Sequence, residues 1–174
     1  MDERKYILIF KLLKFKLSFF KLVFAEQLEV IVKNTLFFRI IILTLMESKM
    51  KAEEIVLGGY KNFAEGDMES LSKLYHPECK ITINGSHSLS GTYIGFQSFL
   101  ENVLAKLDKV WPGFNLDIEK VVSNETDVCV FVNITAENLN SKSIHHFVIK
   151  DGLEVEFNLY DDSQKMSQAM KDIN

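Results

Sequence analysis

From residue 51 onward, apolar and polar positions follow two successive periods along the chain. Over 51–64, Ala52, Ile55, Val56, Gly59, Tyr60 and Phe63 share one broad face, which predicts a helix. Gly66 ends it as a left-handed cap, and Asp67 caps a second short helix through Tyr75. His76-Pro77 closes that helix, because the residue before a proline is pushed out of the αR region. A strand is predicted over 79–84. The segment from Gly85 to Gly95, rich in Gly, Ser and Thr, reads as loop plus a short extended piece. Phe96, Phe99, Leu100, Val103, Leu104, Leu107 and Val110 then form one helical stripe, which Trp111-Pro112-Gly113 breaks.

Beyond that break the period drops to two. Strands are predicted at about 114–123, 127–136, 142–150 and 153–160, with turns at Ser123–Thr126 and Ala136–Ser141. Asp151-Gly152 between two alternating runs is a strong hairpin signal, since a tight I′ turn needs positive φ at both central residues. The tail, 162–173, reads as a last helix. Helices followed by an antiparallel meander predict an α+β domain, with helices on one face of a curved sheet that wraps far enough to leave a cone-shaped cavity.

The first 46 residues are different in kind. Lys, Phe, Leu and Ile make up 28 of them, and Gly and Pro are absent until Gly58. Lys11, Lys14, Lys16 and Lys21 interrupt the first apolar run and Arg39 the second, so neither has the nearly uncharged run of about 20 residues that a membrane span needs. Val23-Phe24-Ala25 imitates a signal-peptide cut, but the lysines spoil the stretch before it. Lys11, Lys14 and Lys21 cluster at about 100° per residue, as on an amphipathic surface helix. Three readings stay open: an overlong start with translation from Met46 or Met50, a weak anchor or signal, and a functional helix. Membrane contact is expected only if this extension, residues 1–46, is genuinely translated. The expectation for the 47–174 domain is a cytoplasmic protein.

Charge is split between these parts. Residues 1–46 carry eight Lys/Arg against four Asp/Glu, and the rest carry 12 against 20. An acidic domain argues against nucleic acid as a partner, because phosphate binding needs clustered Lys and Arg. Cys79 and Cys129 have neither metal-ligand nor redox-motif spacing and read as buried free thiols. No motif implies a cofactor or a metal site. Asn-x-Ser/Thr triplets at Asn84, Asn124 and Asn133 matter only in a secreted chain.

The candidate chemistry is concentrated in the last hairpin. Alternation puts His145, Phe147 and Ile149 on one face and His146, Val148 and Lys150 on the other. Imidazole titrates near neutrality, so His145 is the acid/base candidate; the plainer alternative is a histidine bonded to a backbone carbonyl or exposed at a strand end. Across the hairpin, Phe157, Leu159 and Asp161 share its face, and Asp161 is placed to orient an imidazole. Tyr60 reads either as a pocket hydroxyl or as a core tyrosine satisfied elsewhere. Trp111 either lines a pocket mouth or packs in the core. His87 reads most simply as part of a solvated loop, and His76 as a helix-terminus residue. His145 and His146 point opposite ways and make no metal site. Ser86 and Ser88 beside His87 make no triad.

Four pieces, in this order, carry a resemblance. They are Tyr60-Lys61-Asn62-Phe63-Ala64-Glu65-Gly66-Asp67, Leu74-Tyr75-His76-Pro77-Glu78, Ser90-Gly91-Thr92-Tyr93-Ile94-Gly95, and the hairpin from His146-Phe147 through Asp151-Gly152 and Glu156-Phe157 to Tyr160-Asp161-Asp162. Over about 52–170 the chain resembles the SnoaL-like branch of the nuclear transport factor 2-like, ketosteroid-isomerase-like superfamily. The resemblance implies a cone-shaped α+β barrel, three N-terminal helices packed on a strongly curved antiparallel sheet. It puts Tyr60 where the isomerases hold an oxyanion donor, and His145 where they hold a neutral acid and SnoaL-type cyclases an acid/base aspartate. The isomerase general-base region reads Thr82-Ile83-Asn84, without a carboxylate, so that mechanism is not intact. The arginine-bridged aspartates of epoxide hydrolases are missing too, since no arginine follows Met46.

The resemblance further implies that the His145 face lines the pocket, with Trp111, Phe147, Phe157, Leu159, Ile83 and Tyr93 around it, and it offers a second reading of His87, on a loop that family members often fold over the ligand. The expected ligand is a small apolar or carbonyl-bearing molecule in a cavity of a few hundred Å³. Family members usually pair through the outer face of the sheet, which makes a homodimer, with Tyr160, Asn158 and Glu156 near its interface, the expectation. Two functions fit: a cofactor-free isomerase- or cyclase-type enzyme moving a proton, and a non-catalytic binding or interaction module.

Overall fold

A computed structural model describes residues 3–171. The chain divides into two compact units, Met1–Leu45 and Met46–Asn174. Helix α1 is continuous over Glu3–Glu65, well beyond the predicted 51–64. Within the first unit its described apolar side chains, among them Phe15, Phe20, Phe37 and Leu43, are exposed. The expected Lys11, Lys14 and Lys21 face rests partly on side chains outside the described residues. Among the described residues no helix is long and apolar enough to cross a membrane.

The second unit begins within α1, where Ala52 and Val56 enter the core. Gly66 ends the helix at φ 72°, and the Asp67 side chain accepts from the Ser70 amide to cap α2 (Met68–Ser72). Helix α2 stops short of the predicted end, and strand β1 (Tyr75–Ile83) begins at once. The reason lies across the sheet. The Glu154 amide donates to the Leu74 carbonyl, and Tyr75 pairs with Glu154, so the tertiary ladder takes residues that the local pattern gave to a helix. Pro77 then sits in the irregular stretch of β1 between Tyr75 and Lys80, where no ladder donor is needed.

Strand β2 (Gly91–Ile94) pairs with β1 and leads into α3 (Gly95–Asn102). The predicted long helix over 96–110 is broken at Val103 into α3, a 3₁₀ turn over Leu104–Lys106, and α4 (Leu107–Val110). The apolar stripe survives the break: Phe96, Phe99, Val103 and Val110 are all buried. Strands β3 (Asn115–Ser123), β4 (Asp127–Ala136), β5 (Leu139–Lys150) and β6 (Leu153–Asp161) form the meander, and α5 (Ser163–Gln168) follows. Strand β5 starts three residues before its predicted position. Ala136 pairs with Leu139, so the turn is only Glu137-Asn138, and Leu139 and Ser141 alternate inward. Asp151 and Gly152 have φ of 52° and 81°, as the tight hairpin requires.

The fold is α+β, with the helices packed on a curved six-stranded sheet in the order β2-β1-β6-β5-β4-β3. The sheet is antiparallel except for β1 and β6, which pair in parallel. The core lies between the helices and the inner face, on which β4 presents Val128, Val130, Val132 and Ile134. Cys79 is buried and Cys129 half-buried, both as free thiols.

Candidate functional site

The inner face of the hairpin is set by register. His145 lies opposite Leu159, Phe147 opposite Phe157, and Ser143 opposite Asp161. Phe147 and Phe157 stack at 4.2 Å and 11°, and Phe157 meets the rings of His145 and Phe99 edge-on. These rings wall one side of a cavity of about 100 Å³, with Trp111, Ile83 and Leu159 also on its lining. That is smaller than the few hundred Å³ expected. It is near the scale at which an apolar cavity admits a single six-membered ring.

His145 is 3% exposed, and its Nδ1 lies 2.7 Å from the Tyr60 hydroxyl. The helix face and the strand face therefore converge as the sequence implied. Burial pushes the Tyr60 hydroxyl up, so it keeps its proton, and pushes His145 down to about 3, so it is a neutral imidazole at any ordinary pH. We assign the phenol as donor to His145 Nδ1, its one hydrogen-bond partner among the described residues, which leaves the ring proton on Nε2. That N–H is buried and has no partner. This corrects the expected role: a histidine this hard to protonate is a poor proton carrier near neutrality, but it is a fixed hydrogen-bond donor.

Asp161 lines the same cavity, but it does not orient His145. The Ser143 hydroxyl donates to its Oδ1, and its backbone is clamped by Asn84, whose amide group bonds both the Asp161 carbonyl and the Asp161 N–H. Burial raises the Asp161 carboxyl. Tyr93 is not on the lining. Its ring lies against Phe99, and its hydroxyl donates to the Leu89 carbonyl at 2.9 Å. Trp111 is 2% exposed and donates from Nε1 to the Met166 carbonyl, so it both packs and lines.

One cavity residue, Glu154, was missed by the sequence reading, and another, His87, was read more simply as solvated. Glu154 is 1% exposed and lies at the far end of β6 from Asp161. Burial raises it to about 8, against a hydrogen bond with Tyr75, and its Oε2 has no partner. His87 is 7% exposed rather than solvated, and lies edge-on to Trp111 at 5.7 Å. Its loop is drawn in at Gly85, where φ is 92° and a Cβ would lie 2.4 Å from the Ser163 Cβ, so only glycine fits there. The Leu89 amide donates to His87 Nδ1, which fixes the proton of the neutral ring on Nε2; that buried N–H has no partner either. Burial lowers the His87 pKa, which favours this neutral form. Orphaned buried polar groups cost about 1–3 kcal/mol each and are rare. Three of them gather on one lining. His146 instead points away from the cavity, with Nε2 2.9 Å from Asp127 Oδ1. Among the described residues, no three His, Cys, Asp or Glu side chains gather as a metal site.

No family model matches the chain, and no curated protein matches it. Solved structures do. The chain is similar to Bal32a from a soil-derived mobile gene cassette, at 19% identity and TM-score 0.66 over 71% of this chain and 99% of that one. It is similar to a nuclear transport factor 2-like protein of Burkholderia xenovorans LB400, at 15% identity and TM-score 0.61 over 71% of this chain and 98% of that one. It is also similar to TerC, crystallised with polyporic acid, at 21% identity and TM-score 0.61 over 68% and 97%. The chain has the nuclear transport factor 2-like fold.

Proposed function

We propose that the cavity binds a small carbonyl-bearing molecule and moves a proton at the carbon beside the carbonyl, as a cofactor-free isomerase- or cyclase-type enzyme does. The observation that carries this reading is the union on one lining of a buried carboxyl raised to about 8 and a neutral imidazole with a free Nε2–H. A carboxylate that regains its proton near 8 is a well-matched base for carbon acids near neutral pH. In this reading Glu154 removes the proton. His145, held by Tyr60, donates to the carbonyl oxygen as negative charge grows there, which is worth most in a site that excludes water. TerC's crystallisation with polyporic acid supports an organic ligand for the fold.

The test is deuterium uptake at the α-carbons of cyclohexanone and acetophenone in D₂O, followed by NMR with the full chain. Exchange should exceed that in buffer of equal carboxylate concentration, and Glu154→Gln should reduce the excess by about 10²-fold or more. Exchange no faster than buffer would favour the alternative, a non-catalytic binding module. A homodimer through the outer sheet face is part of the same proposal. The exposed Tyr160 and Val122 support it, and light scattering measures it.

A further inference from the structure

The cavity has two orphaned N–H donors, not one. His145 belongs to β5, and its free donor is Nε2–H. His87 belongs to the loop between β1 and β2, and its tautomer is fixed independently by the Leu89 amide, again leaving Nε2–H free. Neither ring can satisfy the other, because both present donors. Neither is hydrogen-bonded to Asp161, although that carboxyl is near enough to His87 to act on it electrostatically. The rest of the lining is mostly apolar and aromatic, including Phe157, Leu159 and Trp111.

Charge narrows the ligand further. No Lys or Arg lies on the described lining, while Glu154 and Asp161 both do. An anionic ligand would meet two acids and no counter-charge. A cationic one would gain no acceptor from two imidazoles whose free polar groups are N–H donors. A neutral ligand with oxygen acceptors fits both facts, and the aromatic wall fits a flat or cyclic body.

We propose that His87 and His145 mark two ends of one binding axis, and that the ligand is a small neutral ring carrying a hydrogen-bond acceptor at each end. This rests on the carbonyl reading of the cavity and adds a second anchoring point to it. His145 meets the acceptor that reacts. His87 meets the distant one and selects bifunctional rings over monofunctional rings of the same shape.

The test uses matched pairs that differ only in the second acceptor. Cyclohexane-1,4-dione is compared with 4-methylidenecyclohexanone, and 1,4-diacetylbenzene with 4-ethylacetophenone, by NMR titration of the full chain. In at least one pair, the diketone should bind about 10-fold more tightly than its partner. His87→Phe should erase that preference, so that the two members of each pair bind alike. His87→Gln, which keeps a donor near the same place, should restore a preference, and it guards against a variant that simply fails to fold. Equal binding of both members of both pairs, or a preference that survives His87→Phe, overturns the proposal. Absence of α-exchange with the preference intact would sink the proton-transfer reading and leave the axis standing. Failure of every ketone to bind would sink both.

Discussion

Glu154→Gln should make this protein more stable, and most clearly at alkaline pH. In the unfolded chain the carboxyl ionises near its ordinary value of 4.5; in the folded protein it does so only near 8. Between those values the folded state holds one proton more than the unfolded state, so stability falls as pH rises through the window. At about 1.4 kcal/mol per pH unit the cost is about 3 kcal/mol at pH 7 and about 5 kcal/mol above pH 8. His145 acts in the opposite sense over a lower window. Its ordinary value of 6.5 falls to about 3 on folding, so the unfolded state takes the extra proton and stability falls as pH drops from 6.5 toward 3. These two groups together leave a stability plateau between roughly pH 4.5 and 6.5, with a decline from there to about 8. Glutamine keeps the shape and an acceptor for the Tyr75 hydroxyl but carries no titrating proton. Urea unfolding of both proteins from pH 4 to 9 should give curves that meet near pH 4.5 and separate steadily to pH 8. The melting temperature at pH 7 should rise by roughly 6–12 °C. A variant no more stable than the parent at pH 8 would mean that Glu154 is ionised and compensated, and the reasoning about its burial would be wrong.

The α-exchange rate should climb about tenfold per pH unit below 8 and level off above it, with no inflection near 6.5 because His145 does not titrate there; a pH–rate profile of the full chain checks both. Tyr60→Phe should cost about 1–2 kcal/mol in chemical denaturation, because it strips the donor from buried His145 Nδ1, and it should also weaken ketone binding. Phe157→Ala should cost about 3–5 kcal/mol, since that ring is 6% exposed and touches Phe147, Phe99 and His145; the urea midpoint measures it. His146→Ala, removing a partly exposed pair with Asp127, should change stability by less than about 1 kcal/mol and leave ketone exchange unchanged.

The elements that a short window can specify were legible. The Asp151-Gly152 turn fixed the hairpin, and alternation from it correctly placed His145, Phe147 and Ile149 inward with Phe157 and Leu159 opposite. The helical face carrying Tyr60 was legible for the same reason. Glu154 was not, because alternation counted back from Phe157 turns it outward. The ladder runs from Val148 opposite Glu156 to Ile149 opposite Glu154, so Val155 is an extra residue, and this bulge reverses the parity of everything before it. One inserted residue puts a carboxyl into the core. His87 was hidden differently: a Gly-Ser loop looks solvated until Gly85 is seen to press it against Ser163. The parallel pairing of β1 with β6 was hidden too, since it joins residues some 75 positions apart that share no local signal. The His145 sign was also out of reach. Its position was readable, but whether an imidazole is a proton carrier or a fixed donor depends on burial that only the assembled core supplies.

Burial decides what the proposed reaction can be. Every ionisable group on the described lining is pushed toward its neutral form: the two imidazoles downward, Glu154, Asp161 and the tyrosines upward. At pH 7 a carboxyl with a pKa near 8 is ionised in about a tenth of molecules, so the reactive form is a minor one. In that form Glu154 carries a negative charge that no Lys or Arg on the described lining offsets. Removing a proton from the ligand neutralises Glu154 and puts the same charge on the ligand oxygen, where the His145 N–H stands ready. The net charge of the cavity is unchanged by the step; it moves from an orphaned carboxylate toward an orphaned donor. Desolvation that makes ionised Glu154 costly therefore lowers the barrier to its reprotonation, and the Tyr60–His145 pair supplies the place for the displaced charge. A site arranged this way favours carbon acids whose conjugate oxyanion a neutral N–H can hold, and it selects against ligands that arrive already charged.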